Sequence, residues 1–201
     1  MIRDNLLVVV ASLIFVISIG GLFSTYGSLV DLVRPDLFTG YVTDGASINL
    51  TVDTSASLNL TTDEVSWGSG SVDAGETNAT IDTEGNIVRG NWTALSEGLV
   101  ALNNGNVDIR LDLSSNKNST EFLGGTNPSY KYKVTNVDSG ACTPPAEFVL
   151  GTYYEINSTA VQVCSTFTKD KSVRIDFKLV IPSNSEAGIL SSTITAGYEE
   201  A

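Results

Sequence analysis

The chain has 201 residues, enough for one ordinary domain and a terminal segment. Its 11 basic and 23 acidic residues give a net charge of -12, which disfavours nucleic acid as a partner because phosphates would be repelled. The chain contains no histidine and only 2 cysteines, so the commonest general base and most sets of transition-metal ligands are missing, and we expect neither an enzyme nor a cofactor.

An uncharged segment opens the chain from Leu6 to Phe23 and reads LLVVVASLIFVISIGGLF. As a helix it is about long enough to cross the hydrocarbon of a bilayer. It is longer than the apolar part of a typical signal peptide, and no Ala-x-Ala site follows it, so we expect it to stay attached. Arg3 is the basic residue ahead of it, and both a processed N-terminus and an uncleaved anchor remain open.

The helical pattern continues beyond this segment until Pro35 ends it. A helix over residues 4–34 would be about 45 Å long, more than one bilayer thickness. Its first half is apolar on all sides, which favours lipid or other helices. Its second half is apolar along one stripe, which favours a neighbouring protein surface.

Two interpretations of this helix remain open, a lone membrane anchor with a short stalk and a helix that packs in a bundle of identical helices. The small residues at positions 20 and 21 favour the bundle, because they let helix backbones approach closely. The residues expected to pack helix against helix are Leu6, Leu7, Val10, Leu13, Ile14, Ile17, Gly20, Gly21, Tyr26, Leu29, Val30 and Val33.

After Pro35 the sequence changes to Thr, Ser, Asn and Gly with short β-branched runs, a pattern typical of many short strands. We therefore expect a hydrophobic helix over residues 1–35 and an extracellular β-domain over residues 36–201. Turn signals such as Asn104-Gly105 separate the runs. The predicted strands are Phe38–Val42, Ser47–Val52, Ser57–Thr61, Thr80–Asp82, Gly98–Asn103, Asn106–Leu113, Tyr130–Thr135, Glu147–Leu150, Ala160–Ser165, Ser172–Ile181 and Ser191–Ala196.

Strict alternation of apolar and polar residues is clearest over residues 107–113 and 173–179. Each segment presents one apolar face to a core and one polar face to water. The predicted fold is therefore mainly β with one long N-terminal helix, and its head is an Ig-like, Greek-key β-sandwich. In such a head, Trp67 and Trp92 are expected to pack on the sheets.

Asn-x-Ser/Thr sequons mark candidate sites of N-glycosylation, which requires an exposed position. We expect occupancy at some of them, with Asn118 the best candidate because it lies in a polar loop. The sequon asparagines are Asn49, Asn59, Asn78, Asn91, Asn118 and Asn157.

The two cysteines, Cys142 and Cys164, do not form a CxxC motif. In a chain that leaves the cytoplasm, such a pair is more typical of a structural disulfide than of a metal or redox site. The bridge would tie a connection stiffened by Pro144 and Pro145 to a later strand and stabilise the domain by about 3 kcal/mol.

Motifs of catalysis are weak throughout. The Gly/Ser turn at residues 68–71 lacks the flanking strand and helix of a phosphate-binding or nucleophile motif. The acidic pairs Asp63-Glu64 and Glu199-Glu200 are expected to be solvated charge. No EF-hand spacing indicates calcium, so we predict no metal site.

A mostly apolar helix at Leu6–Val33 followed by a sequon-bearing β-domain at Phe38–Ala196 resembles archaeal type IV pilins and archaeal flagellins. The resemblance implies a homopolymer in which N-terminal helices pack into the filament core and glycosylated β-domains form the outer wall. It also implies that the subunit resides in the membrane before assembly and at the cell surface afterwards. The alternative is a monomeric, membrane-anchored surface protein that binds a partner through its β-domain.

Overall fold

The structure, a computed structural model, describes residues 53–201. The predicted N-terminal helix with its packing residues, the first two predicted strands and the sequon at Asn49 lie outside the described residues. So does the predicted domain boundary after residue 35. The described part is mainly β, with two antiparallel sheets and one short helix. No helix within residues 53–201 is both long and apolar enough to cross a membrane.

The described elements follow one another along the chain with a single helix among the strands. They are β1 (Leu58–Thr62), β2 (Asn78–Asp82), β3 (Ile87–Val88), β4 (Leu99–Asn103), β5 (Ile109–Ser115), α1 (Ser119–Leu123), β6 (Ser129–Asn136), β7 (Cys142–Thr143), β8 (Tyr154–Glu155), β9 (Val161–Phe167), β10 (Ser172–Pro182) and β11 (Ile194–Glu200). Every predicted strand in this part overlaps an observed strand except Glu147–Leu150. The two-residue strands and α1 were not predicted.

The first sheet is organised around β10, whose length lets it pair with three strands. Along one side it pairs with β6, and β6 pairs in turn with β8. Along the other side, β4 pairs with the first part of β10 and β2 with its last part, and β1 and β3 extend these two partners outward. The second sheet has the strand order β11-β5-β9-β7.

The inward faces of both sheets contribute to one hydrophobic core. Ile109 and Leu111 of β5 are completely buried, and so are Val173 and Ile175 of β10. The predicted inward apolar faces of these two strands are therefore confirmed, but the polar face of β10 is not fully exposed, since Asp176 is buried. Removing each such side chain from water stabilises the fold by about 1.5–3 kcal/mol.

The prediction of a strand at Glu147–Leu150 is wrong. The Phe148 amide donates to the Pro145 carbonyl at 3.1 Å, and the Val149 amide donates to the Tyr154 hydroxyl at 2.9 Å. The two prolines before this segment favour a turn. Phe148 is buried by aromatic packing against Tyr132 and Tyr154 instead of by strand pairing.

The strand directions define two ends of the described domain. At the proximal end, Asn106 holds the start of the described chain: its Nδ2 donates to the Asp53 carbonyl at 3.0 Å and its Oδ1 accepts from the Ser55 amide at 2.7 Å. The C-terminus lies there too, since the Ala201 amide donates to the Asp108 carbonyl at 3.2 Å. The distal end contains the starts of β2, β6, β9 and β11, the ends of β5 and β10, and α1.

Candidate functional site

A disulfide joins Cys142 on β7 to Cys164 on β9, as predicted, with a Cα–Cα distance of 5.4 Å. Both cysteines are buried, at 4% and 0% exposure. The two strands are neighbours in the second sheet, so the bridge closes the chain segment that runs between them. We call residues 144–160 of this segment the crossing segment, because β8 within it pairs with β6 of the first sheet.

The crossing segment is held against the first sheet by its aromatic residues. The rings of Phe148 and Tyr154 stack with centroids 4.6 Å apart, and the ring of Tyr132 on β6 lies 6.1 Å from that of Phe148. Burial raises the pKa of the Tyr132 hydroxyl to about 12. The disulfide and this cluster therefore fix the crossing segment at separate points.

A charged group on the outer face of the first sheet surrounds Tyr153 of the crossing segment. The Tyr153 hydroxyl donates to the Glu84 carboxylate at 3.0 Å, and Lys133 Nζ pairs with the same carboxylate at 2.5 Å. Lys133 is 9% exposed, and its ammonium lies 4.9 Å from the centroid of the Tyr153 ring. Three elements distant in sequence thus meet around one carboxylate.

The pKa values of this group follow from its geometry. The hydrogen bond from Lys133 is the largest effect on Glu84 and lowers the pKa of its carboxyl below the ordinary value of 4.5. Burial, followed by the hydrogen bond to the Glu84 carboxylate, raises the pKa of Tyr153. At neutral pH, Glu84 is therefore ionised and Tyr153 is neutral. The Glu84 carboxylate is held in its ion pair with Lys133 and by the Tyr153 hydroxyl, so the group offers no free base.

The acidic turn after β2 serves the backbone. The Asp82 carboxylate accepts the amides of Glu84 and Asn86, both at 2.9 Å, and also the Asn86 side chain. Its oxygens are thus engaged by N–H donors, which is the opposite of what a cation requires. Among residues 53–201 there is no group of three or more His, Cys, Asp or Glu side chains that could hold a metal ion.

A second buried carboxylate, Asp176, is also structural. It accepts from Arg174 Nε at 2.7 Å and from the Thr83 hydroxyl at 2.8 Å. The same guanidinium donates to the Thr83 carbonyl at 2.8 Å, so the network ties β10 to the end of β2. Every partner of Asp176 is a donor that holds the backbone in place.

The other side chains considered from the sequence lie apart from one another. Both predicted acidic pairs are exposed, and Glu199 pairs with Arg110 on β5. The Trp92 ring fills the space beside Gly70 and Gly90, where an added Cβ would overlap it. Trp67 donates to the Asp82 carbonyl at 3.3 Å. Both tryptophans pack against the core as predicted.

The described sequon asparagines fall into two groups. Asn59 and Asn78 lie within strands, paired with Leu102 and Pro182. The others lie outside strands and are exposed; they are Asn91, Asn118 and Asn157. Asn118 lies outside the helices and strands, as predicted, and it is also the N-cap of α1 with a complete capping box.

One surface feature was missed from the sequence. Ile189 is 99% exposed and Leu190 is 40% exposed in the connection between β10 and β11, at the distal end. Their neighbours Gly188 and Ser191 are not apolar, so the pair stands alone among polar residues. The signal available in the sequence was an isolated pair of adjacent apolar residues that shows no strand-like alternation. The predicted strand Ser191–Ala196 extended over part of this connection.

No protein-family model, curated protein or solved structure matches this chain.

Proposed function

We propose that this chain is a structural subunit of an extracellular, pilus-like filament that polymerises through its hydrophobic N-terminal segment. The observation that carries the proposal is the uncharged segment Leu6–Phe23 joined, in one chain, to an acidic and disulfide-bonded β-domain. Such a segment must be removed from water, by lipid or by other protein. A bundle of identical helices removes it from water without lipid.

We propose further that the helix over residues 1–35 carries an Ig-like, Greek-key β-sandwich. Support comes from the two antiparallel sheets, which share one core and alternate inward apolar with outward polar residues. In the filament, this domain forms the outside and serves adhesion or protection.

The disulfide and the charge support a location outside the cytoplasm. Structural disulfides persist in oxidising compartments. A net charge of -12 keeps the heads soluble and makes them repel each other, so assembly must draw its free energy from the apolar segment. Before assembly, no neighbouring subunit covers the apolar segment, so lipid must remove it from water. The subunit would therefore reside in the membrane until it assembles.

The proposal is tested by electron microscopy of material sheared from cells that produce the chain. Leu29→Asp places a charge on the predicted apolar stripe beyond the membrane-length segment and is expected to reduce filament number strongly. Ser28→Asp adds the same charge on the opposite side of the predicted helix and is the matched control, expected to leave filaments intact. Equal filament yields from the two variants, or no filaments from the unaltered chain, would contradict the proposal.

A second function is favoured by the exposed Ile189-Leu190 pair at the distal end. Exposed apolar side chains suit partner binding, so a monomeric, membrane-anchored surface protein that binds a partner through its β-domain is the alternative. Recovery of the chain only from detergent-solubilised membranes, as a single unassociated unit, would support it. Ile189→Ser should then weaken partner binding without changing recovery.

A further inference from the structure

The last strand, β11, forms one edge of the second sheet, and its outer side pairs with no other strand of the described domain. Just before β11, the Thr193 carbonyl accepts the Asn116 amide at 3.0 Å, and just after it, the Ala201 amide donates to the Asp108 carbonyl at 3.2 Å. Hydrogen-bonded pairs alternate along an antiparallel ladder, so the odd-numbered residues of β11 bond to β5. The even-numbered residues therefore direct their backbone N–H and C=O groups away from β5; they are Ile194, Ala196, Tyr198 and Glu200.

The other edge strands of the described domain are short or irregular. The strands β3, β7 and β8 have two residues each. The strand β1 has five residues, and its register with β4 shifts between Leu60 and Thr62. Short length, bulges, proline and lysine are the usual features that keep an edge strand from pairing with another chain. The strand β11 has seven residues in regular register and contains neither proline nor lysine, so its edge is the one suited to pairing.

Gly197 lies at the centre of β11, and the described domain does not require a glycine there. Its φ is not in the left-handed region, and an added Cβ would meet only Asp112 Cβ, at 3.9 Å. Gly105 differs, since a Cβ there would overlap the Ser55 carbonyl. A glycine inside a strand often marks a place where another backbone approaches closely. Gly197 is therefore suited to the approach of a strand from another molecule.

The inward face of β11 is only partly covered. Leu111 and Leu113 of β5 are buried. Their partners on β11 are less so, because Tyr198, opposite Leu111, is 45% exposed and Ala196, opposite Leu113, is half-buried. A further strand with apolar residues on the same face would extend the core over these side chains.

A second copy of β11 provides such a strand in an antiparallel register centred on Gly197. Ile194 then pairs with Glu200 of the second copy, and Ala196 pairs with Tyr198 of the second copy. All the outward backbone groups of both strands gain hydrogen-bond partners in this register, because the four even-numbered residues of one copy face those of the other. The inward faces of the two strands continue one another, so each Tyr198 ring covers the Ala196 side chain opposite it.

The charges of β11 favour this register over a parallel one. Glu199 lies opposite Thr195 of the second copy, so no glutamate faces another across the contact. Glu199 also keeps its ion pair with Arg110 of its own domain. A parallel, in-register pair would instead bring the glutamates of both copies side by side, which like-charge repulsion disfavours.

We propose that the outer side of β11 binds the β11 strand of a second copy, and that the contact joins copies on two separate filaments or facing cell surfaces. The contact is isologous, so it closes on itself and cannot propagate a filament. Antiparallel pairing also directs the two proximal ends in opposite directions, whereas neighbours along one polar filament point the same way. The strand contact is argued from the described residues alone, and its placement between surfaces rests on the proposed function.

Single added cysteines in the full-length chain test which residues face each other. In the proposed register, Gly197 faces Gly197 of the second copy as a non-hydrogen-bonded pair with Cα atoms about 4.5 Å apart, a distance that a disulfide spans. Gly197→Cys is therefore expected to form a disulfide-linked dimer on cells. The native cysteines do not compete, because they are buried and joined to each other.

Thr195→Cys is the matched control, on the same face of β11 and two residues away. Its counterpart in the second copy lies roughly 14 Å from it, four strand positions along, so several times less dimer is expected than from Gly197→Cys. Equal dimer yields from the two variants, or no dimer from Gly197→Cys, would overturn the proposal. The reduced Gly197→Cys chain should keep the thermal midpoint of the unaltered chain, since its side chain has room.

Mixed variants test the register and the placement together. Thr195→Cys and Glu199→Cys should each stay unlinked alone and should link to each other when two cell populations that carry them are mixed. Links that form only when one population makes both variants would overturn the placement between surfaces, and no links in either case would overturn the register. Filament microscopy on the same cells tests the proposed function separately, since linked β-domains without filaments would contradict only that function.

Salt provides a further readout. Each chain carries a net charge of -12, so two copies repel each other at low ionic strength, and salt screens that repulsion. The Gly197→Cys dimer should therefore form faster as salt is added. A rate that falls with added salt would contradict a contact made by backbone hydrogen bonds and apolar side chains.

Discussion

Reduction of the Cys142–Cys164 disulfide should lower the thermal midpoint of the β-domain by about 10 °C. The bond closes a loop with a sequence separation of 22. The entropy removed from the unfolded chain by a loop of that size corresponds to about 3 kcal/mol. For a domain of this size, each kcal/mol shifts the midpoint by about 3 °C.

The folded state should survive this loss at room temperature. The crossing segment is also held by the stacked rings of Phe148 and Tyr154 and by the pairing of β8 with β6. Circular dichroism of the full-length chain in detergent, with and without reductant, measures the midpoint. The double variant Cys142→Ala/Cys164→Ala should start at the lower midpoint and not respond to reductant. Equal midpoints for the oxidised and reduced chain would refute the reasoning.

Three further predictions concern single side chains. Because the pKa of Glu84 is lowered in the folded state, its ion pair with Lys133 contributes stability above pH 4.5. This contribution is lost as the pH falls through the folded-state pKa. The urea midpoint of Glu84→Gln should therefore not show the decrease on acidification that this ion pair causes in the unaltered chain. Asn118→Ala should cost about 1 kcal/mol in urea unfolding, because the N-cap of α1 is lost, whereas Asn118→Asp should keep it. Gly105→Ala should cost about 1–3 kcal/mol, because its Cβ would overlap the Ser55 carbonyl.

Each of these three predictions has a result that would contradict it. A loss of stability on acidification that is the same in Glu84→Gln and the unaltered chain would contradict the role of the pair. Asn118→Asp as unstable as Asn118→Ala would contradict the cap. Gly197→Ala is the control for Gly105→Ala, since its Cβ would meet only Asp112 Cβ at 3.9 Å and the exchange should be nearly neutral. Equal unfolding free energies for the two alanine variants would contradict the close approach.

Most strands could be predicted because their signal is local. In β5 and β10, apolar residues recur with the two-residue period of a strand that has one buried face. The strands β3, β7 and β8 have two residues each, too few to show any period. The strand prediction failed over residues 147–150 because Phe148 is buried against aromatic rings. A short apolar segment buried in this way has the same composition as one buried in a paired strand.

The candidate sites divide in the same way. The disulfide and the sequons could be read from residue types and spacing alone. The meeting of Glu84, Lys133 and Tyr153 could not, since Glu84 and Tyr153 are 69 positions apart and no local pattern links them. Nor could the sequence show that Asn118 accepts through its oxygen whereas Asn103 donates through its nitrogen.

The sequence by itself indicated which faces of β5 and β10 are buried, that the two cysteines form a disulfide, that the chain is acidic, and where glycans could be attached. Only the tertiary structure decided that β10 is shared by β2, β4 and β6, and that Asn118 and Asn157 lie together at the distal end. The physical reason is that alternation specifies which side of a strand faces the core but not which strand pairs beside it. Strand partners depend on the register and packing of the whole sheet.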